Sequence, residues 1–509
     1  MSGQGDRAFG RASMTAGQVS FGARLRQLES EIPNNTALTL LGAEGGRDSL
    51  TFAEFSQWST NVAWLLKDQG VTASSVVAVS LGNSLEHFAA VFGAWNLGAM
   101  VLPLNSRSVE RERSEILSNF ENPLVVANWS SGAHLGPQNI ASVRDQDRLH
   151  LPDITPSPGK AVGSGGSTGR PKVIVDIRPL EKTPGSSMGV IGQAVGFHEC
   201  VAQLVPGALF HNMPFTWSAY GLFEAQHVVV LERFDAQVLI ETVASEDIDF
   251  MTLVPTMMRR VAELPEVPEG MLSSLRSVLH SGAPCPQPLK RRWLELMSPE
   301  RLFEAFGATE AVGHTVVRGD VWLNHPGTVG RPIDTEIRIL DEDSVEVAPG
   351  TVGEIFMRPL DGVLPFRYIG TSTSLPAVDG FVSLGDLGSV DEDGFLFPAD
   401  RRLDLVISGG ANIYPAEVEA VLLEHPRVAD AVVIGLPDPD WGKRVHALVE
   451  VRSGQTVATS ELEQWCRHSL AAYKVPKSFE IVPGLPRNEA GKIRRRALVD
   501  ERVLQGEGT

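Results

Sequence analysis

Cysteine and basic residues are scarce in this chain, and long apolar runs do not occur. Only three of the 509 residues are cysteine (Cys200, Cys285 and Cys466), far apart, odd in number and free of any CxxC or Cys/His spacing. This excludes a disulfide framework and a structural zinc site, and it suits a reducing cytoplasm. Lys and Arg total 44 against 62 Asp and Glu, a formal net charge of −18. Such an excess of acid excludes nonspecific nucleic-acid binding, which needs clustered Lys and Arg to neutralise phosphates. No segment approaches the roughly 20 apolar residues of a membrane span. The first 20 residues are rich in Gly and Ser without a signal-peptide core, and read as a flexible tail.

What remains is the composition of an ordinary globular protein, 43% hydrophobic and 21% charged. Its length exceeds what one core serves, so at least two domains are expected. From Arg401 to the end there are 15 basic and 15 acidic residues, so the whole acid excess lies in residues 1–400. At the same place DEDGFLFPADRRLDLVISGG (391–410) concentrates Asp, Gly, Pro and Arg, which reads as a linker or hinge. The expected division is a tail over 1–20, a large domain over 21–400 and a small one over 401–509.

Periodicity gives the fold class. SSVVAVSL (74–81) is a buried-strand pattern, SLEHFAAVFGAWNLG (84–98) a helix ending at Gly98, and MVLPL (100–104) a second strand. HVVVL (227–231), a helix at 235–245, IDFMTLV (248–254), a helix from about 256 and LRSVLH (275–280) repeat the alternation, which predicts an α/β protein with mostly parallel sheets covered on both faces. Beyond 400, strands at 428–436 and 445–451 with helices at 417–425 and 461–470 predict a small α+β domain.

The stretch VGSGGSTGRPKVIV (162–175) holds four glycines, three hydroxyl residues and Lys172. Glycines bring backbone N–H groups close to a ligand, hydroxyls add donors and Lys adds charge, a combination suited to phosphate oxygens. It is not a GxxxxGK[ST] loop, because Pro171 directly before Lys172 cannot lie within the helix that follows such a loop. SGAPC (281–285) and FGATE (306–310) each follow a predicted strand, at the carboxyl edge where α/β sheets bind ligands.

SGGSTGRPK, with SGAPC, FGATE, GDLGSVDEDGFL (385–396), DRRLDLVISGGANIYPAEVE (400–419) and PRNEAGK (486–492), resembles the signature set of the adenylate-forming superfamily, which includes acyl-CoA synthetases, in the family's order. The resemblance runs from about residue 20 nearly to the end. It implies a large adenylating domain with a small β-rich subdomain, and a mobile C-terminal lid. It assigns Ser164, Gly165, Gly166, Ser167, Thr168, Gly169 and Lys172 to the ATP β- and γ-phosphates. Gly282, Ala283 and Pro284 would flank the adenine, with Phe306 and Gly307 following and the Phe306 ring stacking on it. Thr309 would meet the α-phosphate, Glu310 would hold Mg²⁺, and Asp386 and Arg401 would bind the ribose. His211, in ALFHNMPFTW, matches a histidine beside the acyl pocket, and Trp217 and Tyr220 are expected as pocket walls.

Lys492, within the basic run RNEAGKIRRR (487–496), would bridge the substrate carboxylate and the α-phosphate. Ser408, Gly409 and Gly410 would line a coenzyme A tunnel after the lid swings about a hinge near Arg401. The implied activity is ATP-dependent activation of a bulky, cyclic or aromatic acid as an acyl-adenylate, then transfer to coenzyme A. Two alternatives use the same ATP site: transfer to a carrier protein, and activation of nitrite to diazotise an arylamine. Two departures from the pattern stand out: Val173 where glycine is common, and Leu403 where the family carries a charged hinge residue. Leu403 leaves the thioester step open.

Overall fold

The computed structural model describes residues 17–129, 131–164, 172–370, 374–401, 404–408, 411–439, 441–488 and 491–506. Valine-rich runs become central parallel strands because both their faces are buried. One nine-stranded sheet has His227–Leu231, Ala202–Val205, Phe250–Leu253, Ser277–His280 and Leu302–Gly307 side by side in that order, all parallel, with Thr36–Leu41 parallel beyond His227–Leu231. Antiparallel strands close its two ends: Arg47–Thr51 at one, His314–Arg318 and Arg331–Ile333 at the other. A six-stranded sheet places Lys160–Ser164, Met100–Pro103, Val76–Ser80 and Leu124–Ala127 in parallel order, and Lys172–Asp176 then Phe366–Ile369 antiparallel at its edge.

The largest core lies between these sheets. Val77, Val79 and Val101 of one and Leu38, Val228 and Val230 of the other are buried around Phe52, Phe55, Phe88, Phe92 and Trp95 of two helices, Phe52–Asp68 and Leu85–Asn96. The first helix opens on a full capping box, Thr51 with Glu54, and carries Lys67 in its last turn, so sequence fixes both its ends before packing does. Replacing a fully buried ring such as Phe55 with Ala costs about 3–5 kcal/mol.

The alternation predicted from periodicity is present: Val76–Ser80, Leu85–Asn96 and Met100–Pro103 form a parallel βαβ unit. After it comes a five-stranded antiparallel subdomain built on Thr335–Leu340, Gly353–Pro359 and Phe381–Val390. Beyond Asp404 the chain builds its own three-stranded sheet, Val428–Asp438, Gly442–Val451 and Ser478–Val482. Helices Pro415–Leu423 and Thr459–Ser469 cover one face through Val418, Leu422, Leu462 and Cys466, and Leu498 of helix Arg495–Gly506 covers the other.

Two boundaries differ from expectation. Val19–Ser20 pairs with Glu181–Lys182, and the Ser20 hydroxyl caps the next helix by accepting from Ala23 N at 2.9 Å; the expected tail over 1–20 therefore carries structure at its end, while residues 1–16 lie outside those described. In the expected linker 391–410, Asp391 closes a tight turn by accepting from Phe395 N at 2.8 Å, and Leu396–Arg401 returns as a strand against Phe381–Val390. The Asp/Gly cluster marks a hairpin because an Asp side chain stabilises a turn as readily as it solvates a linker. No helix among the described residues is long and apolar enough to cross a membrane.

Candidate active site

The turns after Ser277–His280 and Leu302–Gly307 emerge at the same edge of the nine-stranded sheet, since those strands are adjacent and parallel. They open into a cleft of about 2870 Å³, lined by residues of both sheets, the β-rich subdomain and the C-terminal domain. Gly282, Ala283, Pro284, Phe306, Gly307, Thr309, Glu310 and Asp386 all line it. Gly282 has φ +90°, a conformation that excludes a β-carbon without strain. Asp386 and Arg401 are direct partners in the antiparallel ladder. The Arg401 and Ser164 side chains lie outside the described residues, as do Gly165, Gly166, Ser167, Thr168, Gly169, Leu403, Gly409 and Gly410. Ser408 is buried in the short strand Val406–Ser408 and is not part of the cleft wall.

Three side chains close on one point. Lys172 Nζ donates to Glu310 Oε1 at 3.1 Å and lies 3.0 Å from the Tyr368 hydroxyl, which itself donates to Glu310 Oε1 at 2.6 Å. The ammonium also sits 4.1 Å from the Tyr368 ring centroid. Strand pairing explains the convergence: Phe366–Ile369 runs antiparallel to Lys172–Asp176, with Tyr368 opposite Ile174. Burial first, then the Glu310 carboxylate, raise the Tyr368 pKa above its ordinary value, so the hydroxyl remains a donor. Sequence reasoning missed Tyr368, which stands outside every motif; its one signal is the short strand-like run FRYI, whose pairing partner is not readable locally.

His211 caps helix Asn212–Phe223 and lines the cleft. Its ring lies 4.1 Å from that of Phe210, and among the described residues its buried Nε2 has no hydrogen-bond partner. Burial, with the charge of Lys492 second, lowers its pKa to about 4, so the imidazole is neutral near pH 7. Trp217 and Tyr220, on the same helix, line the cleft too; Trp217 also stacks on Phe250 at 5.2 Å, joining pocket wall to core. Lys160, likewise missed, donates to Asn212 Oδ1 at 2.9 Å and Thr216 Oγ1 at 2.8 Å.

Lys492 enters from the C-terminal domain on a braced loop. Asn488 N donates to Lys492 O at 2.9 Å, Asn488 Oδ1 accepts from Lys492 N at 2.8 Å, and Arg487 donates to Gly491 O at 3.0 Å while pairing with Asp430 at 2.6 and 2.8 Å. Gly491 has φ +72°, and a β-carbon there would stand 2.5 Å from Thr256 Oγ1. From the large domain, Arg259 donates to Ala429 O at 3.3 Å and lies 3.7 Å from Asp430 and 3.9 Å from Glu450.

Among the described residues no group of three His, Cys, Asp or Glu could hold a metal ion. The buried Glu310 carboxylate is a single hard oxygen donor in an open cleft, which fits Mg²⁺, an ion usually held by one or two carboxylates plus substrate phosphates.

The family model described as AMP-binding enzyme matches residues 26–158 and 164–361, and that of the AMP-binding enzyme C-terminal domain matches 417–492. The chain belongs to this AMP-binding enzyme family. It is 31% identical over 468 residues to a 2-succinylbenzoate–CoA ligase of Bacillus licheniformis, covering 89% of this chain and 95% of that one. It is 30% identical to the fatty acid–[acyl-carrier-protein] ligase ScoC of Streptomyces coeruleorubidus, covering 89% and 91%. The o-succinylbenzoate CoA synthetase of Bacillus subtilis, solved with its acyl-adenylate intermediate, superposes with a TM-score of 0.80 at 26% identity over 95% of this chain and 98% of that one.

Proposed function

We propose that this protein is an AMP-forming acid–thiol ligase: it activates a bulky cyclic or aromatic carboxylic acid with Mg·ATP and passes the acyl group to coenzyme A. The observation that carries the reading is the meeting in one cleft of Lys172, Glu310 and Tyr368 from the large domain with Lys492 from the C-terminal one. In this reading residues 21–400 form the catalytic body and 401–509 the lid, and the enzyme works in the cytoplasm.

In the first half-reaction a carboxylate oxygen attacks the α-phosphorus of ATP and pyrophosphate leaves. Lys172 and the loop from Ser164 draw charge on the β- and γ-phosphates, and Thr309 donates to the α-phosphate. Gly282 to Pro284 and Phe306 hold the adenine, and Asp386 with Arg401 the ribose. Mg²⁺, held by Glu310 and the phosphates, would neutralise charge on the departing pyrophosphate. The Tyr368 hydroxyl keeps the Glu310 carboxylate aimed. Neutral His211 offers an N–H to the substrate, and Lys492 stabilises the charge that builds between the attacking carboxylate and the α-phosphate. In the second half-reaction the lid turns near Arg401, Lys492 withdraws, and Ser408, Gly409 and Gly410 border the thiol that attacks the acyl-adenylate and expels AMP.

The test is mass spectrometry of products formed from ATP and an acid panel with coenzyme A, with a purified carrier protein, or with nitrite and an arylamine. Acyl-CoA formation supports the reading. Acylation of the carrier protein alone, or a diazo product, replaces it.

A further inference from the structure

Strand Lys160–Ser164 ends at the glycine-rich loop, and its first residue stands at the other end of the cleft, some 13 Å away at about 3.3 Å per residue. There a half-buried Lys160 lines the cavity with Tyr220, Arg178 and Lys182. Lys160 Nζ binds two neutral oxygens, those of Asn212 and Thr216. Among the described residues no carboxylate lies within 4.0 Å of the Lys160 or Lys182 ammonium. Asp176, the strand partner of Lys160, is engaged by Arg178 at 2.9 and 2.8 Å. Glu181 acts on Lys182 and Asp361 on Arg178 only at longer range, so among the described residues Lys160 reaches the cavity with no ion partner in contact, in a chain of net charge −18.

Desolvation of an ammonium without an ion partner is unfavourable, and burial lowers the Lys160 pKa to about 8. A neutral glutamine would tie the strand to the helix without that cost. A cation held there, with one N–H left over, is suited to an anion that arrives in the cavity. The helix fixes its distance from the reaction: Asn212 follows His211 directly, and Thr216 lies one turn further along, about 5.4 Å.

We propose that Lys160, supported by Asn212 and Thr216, binds a second carboxylate on the substrate, so that the acid activated here is a dicarboxylic acid, oriented with one carboxylate at Lys160 and the other toward Lys492. This rests on the acid-activating function above and narrows its substrate class.

The test uses matched pairs that differ by one carboxylate: 2-succinylbenzoate with 4-oxo-4-phenylbutanoate, suberate with octanoate, and terephthalate with benzoate. Acid-dependent pyrophosphate release is measured for the full-length wild type, Lys160→Met and Lys160→Arg. In the activated pair, wild type should favour the diacid by roughly 10- to 100-fold in kcat/KM, the worth of one charge-assisted hydrogen bond. Lys160→Met should erase that preference without raising the KM for ATP, and Lys160→Arg should keep most of it. If Lys160→Met does not fold, wild-type competition decides: a diacid should inhibit activation of its monoacid partner more strongly than a second monoacid does. Equal or better use of monoacids by the wild type, or an equal loss on both members of a pair in Lys160→Met, overturns the subsite while leaving the ligase reading intact. If no acid releases pyrophosphate, the ligase reading fails and the subsite falls with it.

Discussion

Lys492 stands near enough to His211 for its positive charge to help depress the imidazole pKa, although 281 positions of sequence separate them. The basic end of the C-terminal domain is thus seated at the N-cap of a helix that lines the cleft. The proposed joining of a carboxylate to an α-phosphate calls for this placement.

Lys492→Ala should therefore abolish adenylate formation while ATP still binds. Removing one preorganised donor to developing charge costs roughly 3–4 kcal/mol, a fall of two to three orders of magnitude. Single-turnover pyrophosphate release measures the loss, and nucleotide titration checks retained binding. An undiminished rate would refute the role.

Tyr368→Phe removes the hydroxyl shared by Glu310 and Lys172 and leaves the ring in place. A hydrogen bond to a charged group is worth about 1.5–3 kcal/mol, so the Mg²⁺ concentration for half-maximal rate should rise about tenfold or more. An unchanged Mg²⁺ dependence would show that Glu310 needs no such support.

Acid should destabilise the fold through its buried histidines. Burial lowers the pKa of His87 to about 3 and that of His314 to about 4, and with Lys492 that of His211 to about 4, each from an ordinary 6.5. Between pH 6.5 and 4 the unfolded chain binds protons that the folded one refuses, so stability falls as pH falls through that window and returns on raising it. His87 sits against the rings of Phe88 and Phe215, and neither nitrogen has a hydrogen-bond partner among the described residues. His87→Phe should flatten the slope of denaturant midpoint against pH between 6.5 and 4.5, and an unchanged slope would contradict this assignment.

Gly491→Ala forces a β-carbon against Thr256 Oγ1 and into a left-handed conformation. The adenylation rate should drop about 5- to 150-fold, since overpacking costs some 1–3 kcal/mol, while thioester formation from supplied acyl-adenylate should change far less. Adding Thr256→Ala should restore part of the first rate. Equal damage to both half-reactions would place the contact outside the adenylation geometry.

Much of the fold was legible because its central strands are valine-rich and several of its helices, such as Phe52–Asp68 and Leu85–Asn96, open on capping side chains: the run HVVVL became the strand His227–Leu231 residue for residue. The turn glycines and the acids beside them were legible for the same local reason. Tyr368 and Lys160 were not, because each meets its partners far away in sequence, Tyr368 through a strand paired opposite Ile174 and Lys160 through the helix that carries Asn212 and Thr216, and such contacts leave no mark on neighbouring residues. The hairpin at Asp391 was misread because turns and linkers draw on one small set of residue types.

Among the described residues, Arg259 reaches from the large domain to the buried Asp430 and to Glu450, and two solvent-exposed ion pairs stand at the rim of the C-terminal domain, Arg452 with Glu263 at 3.9 Å and Arg494 with Glu112 at 3.4 Å. Pairs of this kind contribute about 0–1 kcal/mol each and weaken with salt. Those two rim pairs therefore add little to the seating of the C-terminal domain. Under the proposed lid motion, ionic strength becomes a throttle: salt that screens the rim pairs should speed the reset between half-reactions, and a turnover rate indifferent to salt would count against that motion.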